Sequence, residues 1–195
     1  MEIHPENLHW PWEKGVALDK HTISSHYLGE NEYGRAQYDT RRSEIGEVLF
    51  QFKYRGQKSL VKTLGTAVEF YVKKCWPDVI DIIVPMPPSQ KARQYQPVIE
   101  IAQVSSELLE YPCLLDLLKK NTKETLKDIE TKEEKIRKLT GKMTVHEEER
   151  IKGKKILLLD DIYHTGASAE TASQILLDSG AESVYLITIT RRRSG

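Results

Sequence analysis

Fifteen residues, KILLLDDIYHTGASA at 155–169, restrict this chain more than any other stretch. Ile156, Leu157, Leu158 and Leu159 form an apolar run without alternation, the pattern of a parallel strand covered on both faces. Two adjacent acids follow, Asp160 and Asp161. Neither can be buried without a partner, so both are expected at the carboxyl end of the strand, where open α/β sheets gather their ligands. Thr165, Gly166, Ala167 and Ser168 then supply small and hydroxyl side chains ahead of an amphipathic run, Ala169, Ala172, Ile175 and Leu176. That run predicts a helix whose first backbone N–H groups lack intrahelical partners, an end suited to phosphate. Taken singly, the parts also describe a strand, a turn with two solvated aspartates and an N-capped helix. Their order is what singles out a ligand site.

The segment resembles the phosphoribosyl pyrophosphate (PRPP) signature of the type I phosphoribosyltransferases: apolar strand, two acids, a few variable residues, then Thr-Gly and a small or hydroxyl residue. The resemblance implies that Asp160 and Asp161 are the catalytic-site acids that accept hydrogen bonds from the ribose 2- and 3-hydroxyls. It implies a 5-phosphate cradle at His164, Thr165, Gly166, Ala167 and Ser168. The residue types suit those tasks, because paired hydroxyls need fixed acceptors and a phosphomonoester needs convergent N–H donors with a glycine that permits close approach. A P-loop nucleotidase would need G-x-x-x-x-G-K-[ST], which is absent from this sequence. The acids and lysine of a receiver-type domain are not convincingly placed either.

The 195 residues suit one ordinary domain, with or without an appendage, and 39% apolar content is enough for one sizeable core. With 29 basic and 29 acidic residues the formal charge is zero, so no global field advertises nucleic-acid binding, and any such role would be local. Cys75 and Cys113 stand far apart, which argues against a zinc ribbon or a disulfide-built secreted fold. No stretch approaches the roughly 18 apolar residues of a membrane span, and the first residues have no leader-like apolar run. A soluble, cytoplasmic protein without membrane contact is expected.

Residues 1–40 read as a β-rich appendage or hood, with a strand pair expected between 16–19 and 22–28. His4, His9, His21 and His26 lie there in no compact ligand spacing, so surface or interface histidines are favoured over a metal site. Residues 43–54 predict a helix with Ser43 or Thr40 as its cap and Gly56 as its stop. A second helix is expected over 59–76, ended by Pro77. Residues 79–84 then read as a buried strand leading into PMPPSQKAR, and 96–109 as an amphipathic helix. Residues 113–117 are a candidate second core strand, 143–146 a returning strand, and 183–190 a final strand before Arg191, Arg192 and Arg193.

F-K-Y-R-G at 52–56, then I-V-P-M-P and a basic segment with Arg93, Gln94 and Tyr95, resemble the ComF branch of the same family. Members of that branch typically begin with a four-cysteine zinc ribbon and carry R-G-F-N-Q; this chain lacks the ribbon and reads R-Q-Y-Q-P at 93–97. By resemblance, the loop after strand 79–84 binds pyrophosphate through the Met86, Ser89 and Gln90 amides and the cations Lys91 and Arg93. The Lys- and Glu-rich stretch 118–150 is either a solvated helix or a mobile excursion, and in the family this place holds a loop that closes over PRPP. Lys119, Lys120, Thr122 and Lys123 at its start best match the ComF pattern, and Arg137 matches it less well.

The expected architecture is α/β, a type I phosphoribosyltransferase fold with a parallel sheet of about five strands flanked by helices over 41–195. The function implied is a Mg-dependent, PRPP-binding phosphoribosyltransferase that loads a nitrogen nucleophile and releases pyrophosphate. Mg is expected to bind mainly through PRPP, with no metal ligands of the chain's own. The alternative is a non-catalytic PRPP- or nucleotide-binding ComF-like protein serving DNA uptake or regulation. The nucleophile is unidentified by sequence, and a homodimer stays open.

Overall fold

The computed structural model describes residues 1–9, 11–88, 96–120 and 143–192. Its centre is a five-stranded sheet in the order β1-β2-β9-β8-β5, comprising β1 (Glu6–Leu8), β2 (Lys14–Lys20), β5 (Ile82–Pro85), β8 (Lys155–Tyr163) and β9 (Ser183–Arg191). The pairs β2–β9, β9–β8 and β8–β5 are parallel, and β1 is an antiparallel edge. Two antiparallel ribbons stand outside it: β3 (Thr22–Glu30) with β4 (Ala36–Arg42), and β6 (Leu118–Lys120) with β7 (Met143–Val145).

Both faces of the sheet are covered, as the unbroken apolar run in β8 requires. On one face Leu157 and Leu159 join Val16, Leu18, Ile187 and Ile189 against helices α1 (Glu44–Arg55), α2 (Val61–Cys75) and α3 (Pro97–Leu109). On the other, Ile156 and Leu158 pack with Leu186, Leu114, Leu118 and helix α4 (Ala167–Asp178). Strand periodicity of two sorts the four residues onto the two cores.

Helix α1 is fixed at both ends by the chemistry its sequence offers. Ser43 Oγ accepts from the Gly46 N–H at 3.1 Å and donates to the Lys20 carbonyl at 2.5 Å, while Gly56 ends the helix at φ 70°. Ile45, Leu49 and Phe52 bury one face completely, the phenyl ring alone contributing about 2–3 kcal/mol. A Cβ on Gly46 would lie 2.5 Å from the His21 carbonyl oxygen, so only glycine lets the helix sit this close to the end of β2.

The strand pair expected between 16–19 and 22–28 does not form. β2 pairs with β9 instead, and β3 turns away to pair with β4. The reason is burial: Gly15, Val16, Ala17, Leu18 and Asp19 are all buried, a two-sided pattern that only an interior strand satisfies, so the first twenty residues belong to the main sheet. Residues 113–117 contribute one parallel bridge, Cys113 to Ile83, rather than a strand. The ribbon β6–β7 brackets the charged stretch, whose residues 121–142 lie outside the described ones. No helix of the described residues is long and apolar enough to cross a membrane.

Candidate functional site

Asp160 and Asp161 lie inside β8 rather than beyond its end, because β9 stays paired alongside through Ile162↔Thr190 and Tyr163↔Arg191. On the other side β5 stops: its last pair is Pro85↔Leu159, and only the Met86 N–H continues, donating to the Leu159 carbonyl at 2.8 Å. The acids therefore occupy the first positions at which β8 loses a neighbour, where parallel strands open a crevice. Met86 is thus not the free pyrophosphate donor expected from sequence. Its amide closes the sheet and its side chain is buried in the core.

Consecutive strand residues face opposite sides, and each acid meets a cation from a different layer. Asp161 continues the face of Leu157 and Leu159, towards α1, where Lys53 Nζ donates to its Oδ2 at 2.5 Å. The two side chains are 14% and 12% exposed. Asp160 continues the face of Ile156 and Leu158, where Lys120 at the end of β6 is one of the cations acting on it. Burial first, and then the charge of Asp161, push the Asp160 carboxyl up to about 7; the Asp161 N–H, which donates to Asp160 Oδ1 at 2.8 Å, and the lysines oppose this. Burial pulls Lys120 below the ordinary lysine value, against the pull of Asp160. Adjacent carboxyls at a partly desolvated strand edge resist double ionisation unless cations supply compensation.

The turn after β8 leads into α4 through Gly166, at φ 84°. A Cβ there would fall 2.3 Å from the Tyr163 hydroxyl, so both the left-handed backbone and the close approach require glycine. No side chain caps α4, and its first intrahelical bond is from Glu170 N to the Gly166 carbonyl at 2.8 Å. The amides of Ala167, Ser168 and Ala169 precede that bond and form an anion-receptive start. Ala167 is buried, Thr165 and Ser168 half-buried, and His164 exposed. Ser89, Gln90, Lys91, Arg93, Thr122, Lys123 and Arg137 lie outside the described residues.

The phosphoribosyl transferase domain family matches residues 98–195, which include β8, both acids and the glycine turn. The chain belongs to the type I phosphoribosyltransferase family. It is ComF-like: the competence protein ComFC of Bacillus subtilis (strain 168) is 29% identical over 154 residues, covering 78% of this chain. The chain spans 62% of the length of that relative. Among solved structures, an adenine phosphoribosyltransferase aligns at a TM-score of 0.50 and 17% identity over 88% of this chain and 86% of its own. The glutamine PRPP amidotransferase of B. subtilis aligns at 0.50 and 16% over 82% of this chain and 34% of its own. At these identities the two share the fold.

Two features near the acid pair were not singled out from sequence. Lys53 lies within the quoted F-K-Y-R-G fragment, yet nothing local indicates that it reaches Asp161 across 108 positions. His21, expected at a surface or interface, is 6% exposed, with Nδ1 3.1 Å from Thr190 Oγ1. Burial, reinforced by Arg192, Arg42 and Lys53, lowers its pKa to about 4. Its neighbours, from β4, α1 and β9, come from distant parts of the chain.

Proposed function

We propose that this chain binds PRPP over Asp160 and Asp161 and transfers the phosphoribosyl group to a nitrogen nucleophile, releasing pyrophosphate. The observation that carries the reading is the juxtaposition of an acid pair at the opened edge of β8 with an uncapped helix start six residues later. The acids accept the ribose hydroxyls. The amides of Ala167, Ser168 and Ala169, with Thr165 and Ser168 hydroxyls and His164, hold the 5-phosphate. Positive charge grows on the anomeric carbon as the bond to pyrophosphate breaks, and the ionised acids below the sugar favour it. Lys120, together with Lys91, Arg93 and Lys123, balances the departing diphosphate.

Mg fits this site as a passenger of the diphosphate. Among the described residues no cluster of three or more His, Cys, Asp or Glu forms a metal cage, while Asp160, half-buried and costly to ionise, gains from a nearby hard cation. When bound, the ion neutralises charge on the leaving group.

A panel of heterocyclic bases and ammonia, incubated with PRPP and Mg, tests turnover by pyrophosphate release. Release by the wild type and none by Asp160→Asn/Asp161→Asn supports transfer. Equal release by both rejects it. A second reading, a PRPP-binding protein without turnover that serves DNA uptake, is favoured by the similarity to ComFC and by Lys53, which already occupies one oxygen of Asp161. Acid-dependent PRPP binding without pyrophosphate release selects it.

A further inference from the structure

A cavity of about 410 Å³ is lined by His21, Thr22, Arg42, Phe50, Tyr54 and Arg192, and the charges of Lys53 and Asp161 are felt at His21 in its wall. His21 and Arg192 directly follow β2 and β9, so the cavity opens on the same edge of the sheet as Asp160 and Asp161. It also shares α1 with the site: Phe50 and Tyr54 flank Lys53, the lysine that holds Asp161.

The lining has a definite chemistry. Among the described residues, two guanidinium groups line it and no carboxylate does. Arg42 is partly answered by Glu47 at 3.1 Å and lies over the Phe50 ring, 3.7 Å from its centroid. Its Nε is buried and has no hydrogen-bond partner among the described residues, an uncompensated donor that a ligand acceptor would satisfy. Arg192 is exposed and forms no ion pair among the described residues. His21 stays uncharged among these cations and does not supply the missing anion. Phe50 and Tyr54 add flat apolar surface, suited to a ring. The volume falls within the range of small-ligand pockets.

We propose that this cavity receives the acceptor of the phosphoribosyl group, and that the acceptor is a planar aromatic ring bearing a carboxylate, recognised by Arg42 and Arg192 and packed on Phe50 and Tyr54. The inference rests on the reading of Asp160 and Asp161 as the PRPP site. The ring nitrogen's lone pair forms the bond to the anomeric carbon while that carbon's bond to diphosphate breaks, diphosphate leaving with the bonding pair. A nitrogen that bore a proton releases it to water, and a pyridine-type nitrogen keeps the positive charge.

The test is calorimetric titration of the full chain with pyridine-3-carboxylate and with its neutral isostere pyridine-3-carboxamide, with and without PRPP and Mg. The carboxylate is expected to bind at least tenfold more tightly than the amide, and Arg42→Gln or Arg192→Gln to remove that preference. Because the acid-amide comparison on the wild type needs no variant, misfolding of Arg42→Gln does not obscure it. PRPP binding with no preference for the acid overturns the acceptor assignment and leaves the proposed function intact. Arginine-dependent binding of the acid with no PRPP binding overturns the proposed function and the acceptor role with it.

Discussion

Lys53 Nζ lies 2.5 Å from Asp161 Oδ2, joining the first helix to the signature strand across 108 positions of sequence. Both side chains are nearly excluded from water, so deleting one partner strands a buried charge. Lys53→Met is expected to cost about 3 kcal/mol in chemical denaturation. Combining it with Asp161→Asn should recover part of that loss, because the stranded anion is gone. Costs that simply add in the double variant would show that the two groups are not coupled.

Asp160 gives the free protein a distinctive pH dependence. Its folded pKa is raised from 3.8 to about 7, so between those values the folded protein retains a proton that the unfolded chain has released. This contribution to stability is fully present below about 4 and is lost as pH rises through about 7. Asp160→Asn should therefore be more stable than the wild type by at least about 1 kcal/mol near pH 8, with the advantage gone near pH 4. PRPP binding should weaken as pH falls below about 7, where the acceptor becomes protonated. A variant less stable than the wild type near pH 8 would contradict the assignment.

His21 acts in the opposite sense. Its folded pKa is lowered from 6.5 to about 4 by burial and then by Arg192, Arg42 and Lys53, with Asp161 opposing. The folded protein binds fewer protons than the unfolded chain in that window, so this contribution is present above about 6.5 and is lost as pH falls towards 4. The ring signals of His21 in an NMR titration are expected to stay constant down to about pH 5. A midpoint at the ordinary histidine value would mean that the cavity is neither buried nor cationic.

Gly166→Ala combines two penalties, a left-handed backbone at φ 84° and a Cβ 2.3 Å from the Tyr163 hydroxyl. Thermal or chemical denaturation should register a loss of about 1–2 kcal/mol from the backbone alone, with PRPP affinity falling too. Adding Tyr163→Phe should return the steric part and leave the backbone part. An undisturbed stability and affinity for Gly166→Ala would show that the turn does not shape the cradle.

What could be read in the sequence follows from how local its causes are. The caps Ser43 and Gly56, the strand 156–159 and the helix after Gly166 are set by neighbours within a few residues, and each forms where expected. β2 was misassigned because its partner, β9, lies some 170 positions away: Lys14 pairs with Tyr185. Proximity in sequence favours a hairpin with 22–28, and only the all-round burial of Val16, Ala17 and Leu18 argues otherwise. The same distance hid Lys53 and the cavity around His21, which are assembled by packing α1 and β9 together. Met86 failed as a donor for a related reason, since the register of β5 on β8 decides which amide is spent on the sheet.

The acid pair and the open helix start are expected to bind PRPP together. Calorimetric titration of the wild type with PRPP and Mg, repeated on Asp160→Asn/Asp161→Asn, measures this directly. The expected result is saturable heat with one equivalent for the wild type and a loss of affinity of about a hundredfold or more for the double variant, as fits two charge-assisted hydrogen-bonded contacts. Identical heats from both proteins, or no heat from the wild type, would contradict it.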